Sequence, residues 1–161
     1  MRLFLFLAIL SIAYAQDGHF IPPTGWEIAQ LKKPTPEIKV CFVGKGSSDF
    51  RPSINFATEE VDVPLKEYVK AVKEIQKSDP KIKWRDLGKF PMKGGLGHLI
   101  EMTQASPRGE IKILQAYLVI DQMAYILTAS VAKEELSKFQ GEILKSFASL
   151  TVQNQTESEH E

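Results

Sequence analysis

Apolar residues recur at every second position along most of the chain, and at every third or fourth position in two segments. The first spacing is typical of strands that bury one face, and the second is typical of amphipathic helices. We therefore predict strands at residues 26–29, 38–43, 53–61, 83–93, 97–104, 110–120 and 123–130. Helices are predicted at residues 64–78 and 131–150.

The first predicted helix has Pro64 in its first turn, Asp62 as a candidate cap, and Pro80 just after its end. One face of this helix is apolar, and the other is rich in lysine. The lysines are Lys66, Lys70, Lys73 and Lys77. A solvated face is the simpler interpretation of these lysines, and a surface for an acidic partner is the alternative.

The order of the predicted elements, with short connections between strands, favours a largely antiparallel sheet. Residues 116–120 are apolar on both faces of their strand, so the sheet needs cover on both sides. We predict a single α+β domain at residues 16–150, a sandwich in which about seven strands are flanked by two amphipathic helices. Residues 151–161 are predicted to be a disordered polar tail.

Charge and residue counts exclude several kinds of site. The chain has 20 basic and 20 acidic residues, so it has no net field that would attract nucleic acid or an anionic membrane. Its one cysteine, Cys41, excludes an internal disulfide and a cysteine zinc site, and three histidines leave little for a metal centre. We expect no cofactor, no metal and no nucleic-acid partner.

The first fifteen residues resemble a secretory signal peptide. Arg2 gives a positive start, residues 3–13 are almost all apolar, and Ala13-Tyr14-Ala15 matches an A-x-A cleavage site. A membrane anchor is the alternative, but the apolar run is shorter than the roughly 20 residues that span a bilayer. We therefore expect cleavage after Ala15 and a periplasmic or secreted protein, whose membrane contact is transient and made through the signal peptide.

Several short segments carry a family likeness. They are Phe20, Pro22, Gly25 and Trp26 at the start, Tyr68 in the first helix, and residues 97–101, 124–129 and 145–150. Together they resemble the PsbP-like fold family, which includes photosystem II PsbP, DcrB-type bacterial exported proteins and a Ran-binding import factor. The resemblance covers roughly residues 20–150 and implies a binding or assembly scaffold without enzyme activity. The sequence departs from the family in two ways: it shows no thylakoid-targeting peptide, which argues against a photosystem role, and no lipobox cysteine, which separates it from the lipoprotein members.

Catalytic motifs are weak. Ser130-Val131-Ala132-Lys133 matches S-x-x-K, but the chain has no K-T-G box and is short for a penicillin-recognising enzyme. The glycine-rich segments 44–48 and 94–97 precede predicted strands rather than helices, so we interpret them as turns rather than phosphate loops. We expect no enzyme activity.

One polar row could cross three strands. A turn at residues 106–109 with a glycine bulge would set Glu101 opposite Gln115, and a two-residue turn at 121–122 would set Gln115 opposite Thr128. This row is either an internal network or the floor of a ligand or partner pocket. The opposite face is expected to be apolar and covered by a helix. Its members are Ile100, Met102, Leu114, Leu118 and Leu127.

Phe50 and Arg51 lie near the tip of the 44–52 loop, and an aromatic residue beside an arginine is typical of a contact hot spot. The alternative is that Phe50 packs onto the core of its own domain. We expect an exported, non-catalytic binding or assembly factor that contacts another envelope or periplasmic protein. The alternative function is a carrier of a small or lipid-like ligand in a cavity between sheet and helix.

Overall fold

The computed structural model describes residues 13–15, 18–31 and 37–153. The helices are α1 (Leu65–Ser78) and α2 (Leu136–Ala148), and a 3-10 turn (Lys133–Glu135) precedes α2. The strands are β1 (Ala13–Ala15), β2 (Gly18–Phe20), β3 (Glu27–Ile28), β4 (Ile38–Val43), β5 (Ser53–Glu60), β6 (Ile82–Met92), β7 (Gly95–Ser106), β8 (Gly109–Ile120), β9 (Met123–Ala132) and β10 (Thr151–Val152).

Seven of the strands form one sheet in the order β3-β4-β5-β9-β8-β7-β6, and each neighbouring pair is antiparallel. A second, three-stranded sheet has the order β1-β2-β10. The predicted α+β class, with a seven-stranded antiparallel sheet and two helices, is confirmed. No helix among the described residues is long and apolar enough to cross a membrane.

The two hydrophobic clusters lie on opposite faces of the seven-stranded sheet. On one face, α1 supplies Val69, which joins Ile100, Met102 and Tyr117. On the other face, α2 and the small sheet cover a larger cluster. Phe20 of β2 enters this larger cluster, and its ring centroid lies 5.7 Å from those of Phe42 and Phe56. Both faces of the central strands are therefore removed from water.

The helix starts differ from the expected ones. Pro64 occupies the N-cap position of α1 and no side chain caps it, so Asp62 is not the cap. Val131 and Ala132 continue β9, and α2 begins only at Leu136. Both residues are buried in the strand. Their positions also fit the helical pattern of the residues that follow, but burial in the sheet determines their structure.

The hairpin between β7 and β8 has a different register from the expected one. Ser106 pairs with Gly109 across a two-residue turn, one residue away from the predicted pairing. Because side chains alternate along a strand, this slip moves every β7 side chain to the other face. Ile100 and Met102 therefore pack under α1, whereas Leu114, Leu118 and Leu127 face α2. The expected single apolar face is wrong for this reason.

The ends of the domain are only partly described. Thr151 and Val152, which we assigned to the tail, instead pair with His19 and Gly18 of β2. Most of the predicted signal peptide and residues 154–161 lie outside the described residues, and the backbone of Ala13–Ala15 forms β1 beside β2.

The hairpin between β8 and β9 turns at Asp121 and Gln122, whose φ angles are 49° and 61°. A two-residue turn with both φ values positive is the type that favours glycine at the second position. We expect Gln122→Gly to raise the free energy of unfolding by about 0.5–1 kcal/mol in urea titrations. Gln104→Gly, an exposed position inside β7, is the matched control and should lower it by a similar amount. A loss of stability at both positions would contradict the turn geometry.

Candidate functional site

The 44–52 loop joins β4 to β5 and is closed at its base. The amide of Gly44 donates to the carbonyl of Pro52 at 2.8 Å. Both of these residues are buried, whereas exposed side chains alternate along the loop between them. The exposed residues are Lys45, Ser47, Asp49 and Arg51. The loop is therefore closed at its base, and every second residue along it is exposed.

Glu135 of the 3-10 turn holds this loop in place. Its Oε1 atom accepts hydrogen bonds from the Ser47 amide at 2.5 Å and from Ser47 Oγ at 2.6 Å, and its Oε2 accepts from Ser48 Oγ at 3.3 Å. A Cβ at Gly46 would lie 2.5 Å from Oε2, so glycine permits this close approach. Glu135 is 4% exposed. The hydrogen bonds from the hydroxyl and the amide of Ser47 lower the pKa of Glu135.

Phe50 and Arg51 are positioned by the same loop. The Phe50 amide donates to Ser48 Oγ at 3.2 Å, and the Phe50 ring is half-buried without belonging to either hydrophobic cluster. Arg51 is exposed, and its Nε donates to the carbonyl of Gly44 at 3.1 Å. The two residues thus lie on a loop whose backbone is fixed from several sides.

Two neighbouring cations complete what we call the loop surface, consisting of residues 44–52, Arg108 and Lys133. Arg108, in the turn between β7 and β8, donates from Nη1 to the carbonyl of Asp49 at 3.3 Å. Lys133 contacts Glu110 of β8. The loop, the turn and the start of the 3-10 turn therefore adjoin at one end of the sheet.

Half of the predicted polar row is present. Gln115 lies opposite Thr128, and its Nε2 donates to Thr128 Oγ1 at 3.0 Å. The hydroxyl of Tyr117 donates to Gln115 Oε1, and burial raises the pKa of Tyr117. On the far side of Thr128 lies Asn55 of β5. Tyr117, Gln115 and Thr128 form a hydrogen-bonded row on the α1 side of the sheet, whereas Asn55 Oδ1 is buried without a hydrogen-bond partner among the described residues.

Glu101 does not belong to that row. The register of the hairpin sets it opposite Leu114, on the other face of the sheet, so its predicted pairing with Gln115 is wrong. Its carboxylate accepts from Arg85 Nη2 at 3.2 Å and from Lys112 Nζ at 3.0 Å. Burial opposes ionisation of Glu101, but these two cations outweigh burial and lower its pKa.

Glu101 lies in a shallow depression of about 370 Å³. The depression is open to solvent and lies over β6, β7 and β8. Its lining residues are Lys83, Trp84, Arg85, Glu101, Thr103 and Lys112. We call this feature the Glu101 depression.

Asp86 joins α1 to the sheet, a contact that the sequence analysis missed. It contacts Lys73 of α1, lies 2.6 Å from His98 Nε2, and accepts from the Gly88 amide at 2.8 Å. Burial opposes ionisation of Asp86, but the hydrogen bonds outweigh it and lower the pKa to about 2. Lys73 therefore contacts the sheet rather than water alone, and the expectation of a uniformly solvated lysine face is wrong at this position.

The two residues of the S-x-x-K motif have different neighbours among the described residues. Ser130 lies within β9 beside Ser53 and Ile113, and Lys133 contacts Glu110. Cys41 is buried, and burial raises the pKa of its thiol. Within residues 13–15, 18–31 and 37–153, no group of three or more His, Cys, Asp or Glu side chains could hold a metal ion.

Solved structures of several proteins are similar to this chain, among them the following three. Cyanobacterial PsbP from Synechocystis sp. PCC 6803 is 13% identical with a TM-score of 0.62, and the match covers 94% of this chain and 98% of that chain. LpqN, involved in cell envelope biogenesis of Mycobacterium tuberculosis, is 12% identical with a TM-score of 0.67, covering 85% and 83%. The Saccharomyces cerevisiae Ran-binding protein Mog1p is 17% identical with a TM-score of 0.54, covering 84% and 90%.

No family model and no curated protein sequence matches the chain. At these low identities the similarity shows a shared fold. The chain therefore has the PsbP-like fold, as the resemblance of its segments implied.

Glu135 should be needed to hold the 44–52 loop. We expect Glu135→Gln to lower the free energy of unfolding by about 1–2 kcal/mol, because the amide loses the charge that strengthens its hydrogen bonds from Ser47. Hydrogen exchange of the Ser47 amide should become about tenfold faster. Glu134→Gln, at the exposed neighbouring residue, is the matched control. Equal exchange rates in the two variants would contradict the role of Glu135.

Asp86 should make stability depend on acid pH. Its pKa in the folded protein, about 2, is below the unfolded value, so its contribution is present above about pH 4 and is lost as the pH falls toward 2. We expect Asp86→Asn to cost roughly 1 kcal/mol at about pH 6, a figure reduced for solvent screening, and much less near pH 2. Urea unfolding at both pH values measures this, with the exposed Asp62→Asn as control. A constant difference between Asp86→Asn and wild type would contradict it.

Proposed function

We propose that the protein is an exported, non-catalytic binding or assembly factor that contacts another envelope or periplasmic protein through its loop surface. The observation that carries this proposal is the fixation of the loop by Glu135, which accepts three hydrogen bonds from Ser47 and Ser48. A loop that is already ordered loses less conformational entropy when a partner binds. The interaction energy of its exposed side chains is then available for affinity.

Phe50 and Arg51 have the chemistry of a contact pair. The ring of Phe50 is half-buried outside the two hydrophobic clusters, so a partner can cover its remaining surface. Arg51 keeps most of its guanidinium donors, because the bond to Gly44 uses only Nε. Hot-spot residues of an interface, among which arginine and aromatic side chains are enriched, cost about 2 kcal/mol or more when they are truncated to alanine.

The names of the similar structures support a binding role. One is a Ran-binding protein, and another is involved in cell envelope biogenesis. Support for export comes from the apolar start of the chain and its A-x-A site, Ala13-Tyr14-Ala15. The Glu101 position does not support a ligand carrier, because Glu101 lies in an open depression with mainly charged walls.

The test is to capture partners of the protein from its native envelope and then to measure binding with the purified partner. We expect Phe50→Ala and Arg51→Ala each to weaken binding about tenfold or more. Ile75→Ala and Lys70→Ala remove an exposed apolar side chain and an exposed cation from α1, and they serve as controls. Equal retention of the partner by the loop variants and the controls would overturn the proposed contact surface.

A further inference from the structure

The Glu101 depression is a cross-strand cluster of charged side chains beside the loop surface. Arg85 lies opposite Glu101, and Thr103 lies opposite both Lys83 and Lys112. All five side chains project from the same face of the sheet, because paired residues of neighbouring strands share a face. The strands themselves thus fix the spacing of three cations.

The buried carboxylate of Glu101 orients two of these cations. It is 7% exposed, and its two oxygens each accept one hydrogen bond, from Arg85 and from Lys112. A guanidinium has five N–H donors and an ammonium has three, so each cation retains donors beyond the bond that it makes to Glu101. The Arg85 side chain is 68% exposed. A ligand would therefore meet cations that are already positioned.

The charge of the depression selects an anion. Lys83, Arg85 and Lys112 carry three positive charges against the single negative charge of Glu101. Clustered charges of one sign at a surface attract ligands of the opposite sign. Because β6 is an edge strand of the sheet, an extended segment has room to lie along this side of the molecule.

Glu110 of β8 lies between the depression and the loop surface, two residues from Lys112 and in contact with Lys133. Glu110 contacts Lys133 of the loop surface, and Lys83 and Lys112 of the depression act on Glu110 electrostatically. Lys133 also begins the 3-10 turn whose Glu135 holds Ser47. One partner could therefore contact both features at once.

We propose that the Glu101 depression binds a carboxylate-rich extended segment of a protein partner, with Lys83, Arg85 and Lys112 as donors. This inference rests on the proposed function, since it assigns an acidic chemistry to the partner of the adjoining loop surface. A protein segment is favoured over a free phosphate because the depression is open and shallow and adjoins a protein-contact surface.

The experiment titrates a fluorescently labelled hexaglutamate peptide into the purified full chain at low salt. We expect saturable binding that weakens as salt is raised. Lys112→Ala, Arg85→Ala and Lys83→Ala should each weaken it about fivefold, the effect of losing one exposed ion pair. Lys112→Arg should retain binding, and Lys66→Ala and Lys70→Ala on α1 are matched controls.

Loss of a cation beside Glu101 could also unfold the protein, so urea unfolding accompanies each variant. Lys83→Ala keeps the test decisive, because the two bonds that hold the Glu101 carboxylate come from Arg85 and Lys112 and not from Lys83. Absence of saturable binding, equal binding by the depression and α1 variants, or displacement of the peptide by equimolar inorganic phosphate would overturn the proposal. None of these outcomes bears on the Phe50 and Arg51 test, since the titration contains no native partner.

Discussion

Burial of both faces of the central strands is the constraint from which the rest of this structure follows. β8 and β9 carry apolar side chains on both sides, so each face of the sheet must be covered to exclude water. On one side α1 does this, and on the other side α2 acts together with Phe20 from the small sheet. The β7–β8 turn lies at one end of the sheet, where Arg108 contacts the 44–52 loop. Charged and hydroxyl side chains collect at that end, and the candidate surfaces lie there.

Two well-buried carboxylates at this end are stabilised in different ways. Glu135 is held by uncharged donors from a single loop, so its negative charge persists beside the loop surface. Glu101 is paired with two cations and leaves a net positive surface around it. Burying either carboxylate without such partners would cost several kcal/mol. The need to compensate a buried negative charge therefore orders the 44–52 loop around Glu135 and the cluster of cations around Glu101.

Periodicity alone was enough to predict the seven strands of the large sheet, the presence of two helices and the α+β class, because each depends on neighbours in the chain. The short strands of the small sheet were not predicted. The register of the β8–β9 hairpin could also be predicted, since a two-residue turn at Asp121 and Gln122 admits one pairing. The β7–β8 register could not, because its turn residues fit loops of two lengths. Glu101 was assigned to the wrong face as a result. The bond between Ser47 and Glu135 joins residues 88 positions apart, and no local pattern reveals it.

The topology also constrains the order in which this chain can fold. β6, β7, β8 and β9 pair in sequence through short turns, whereas β5 pairs with β9 and β2 pairs with β10 near the end of the described chain. Closing such long loops is entropically slower than closing a hairpin. During synthesis, neither sheet can be completed until the last strands have left the ribosome. A chain emerging from the ribosome therefore stays incompletely folded until its C-terminal strands are available for pairing.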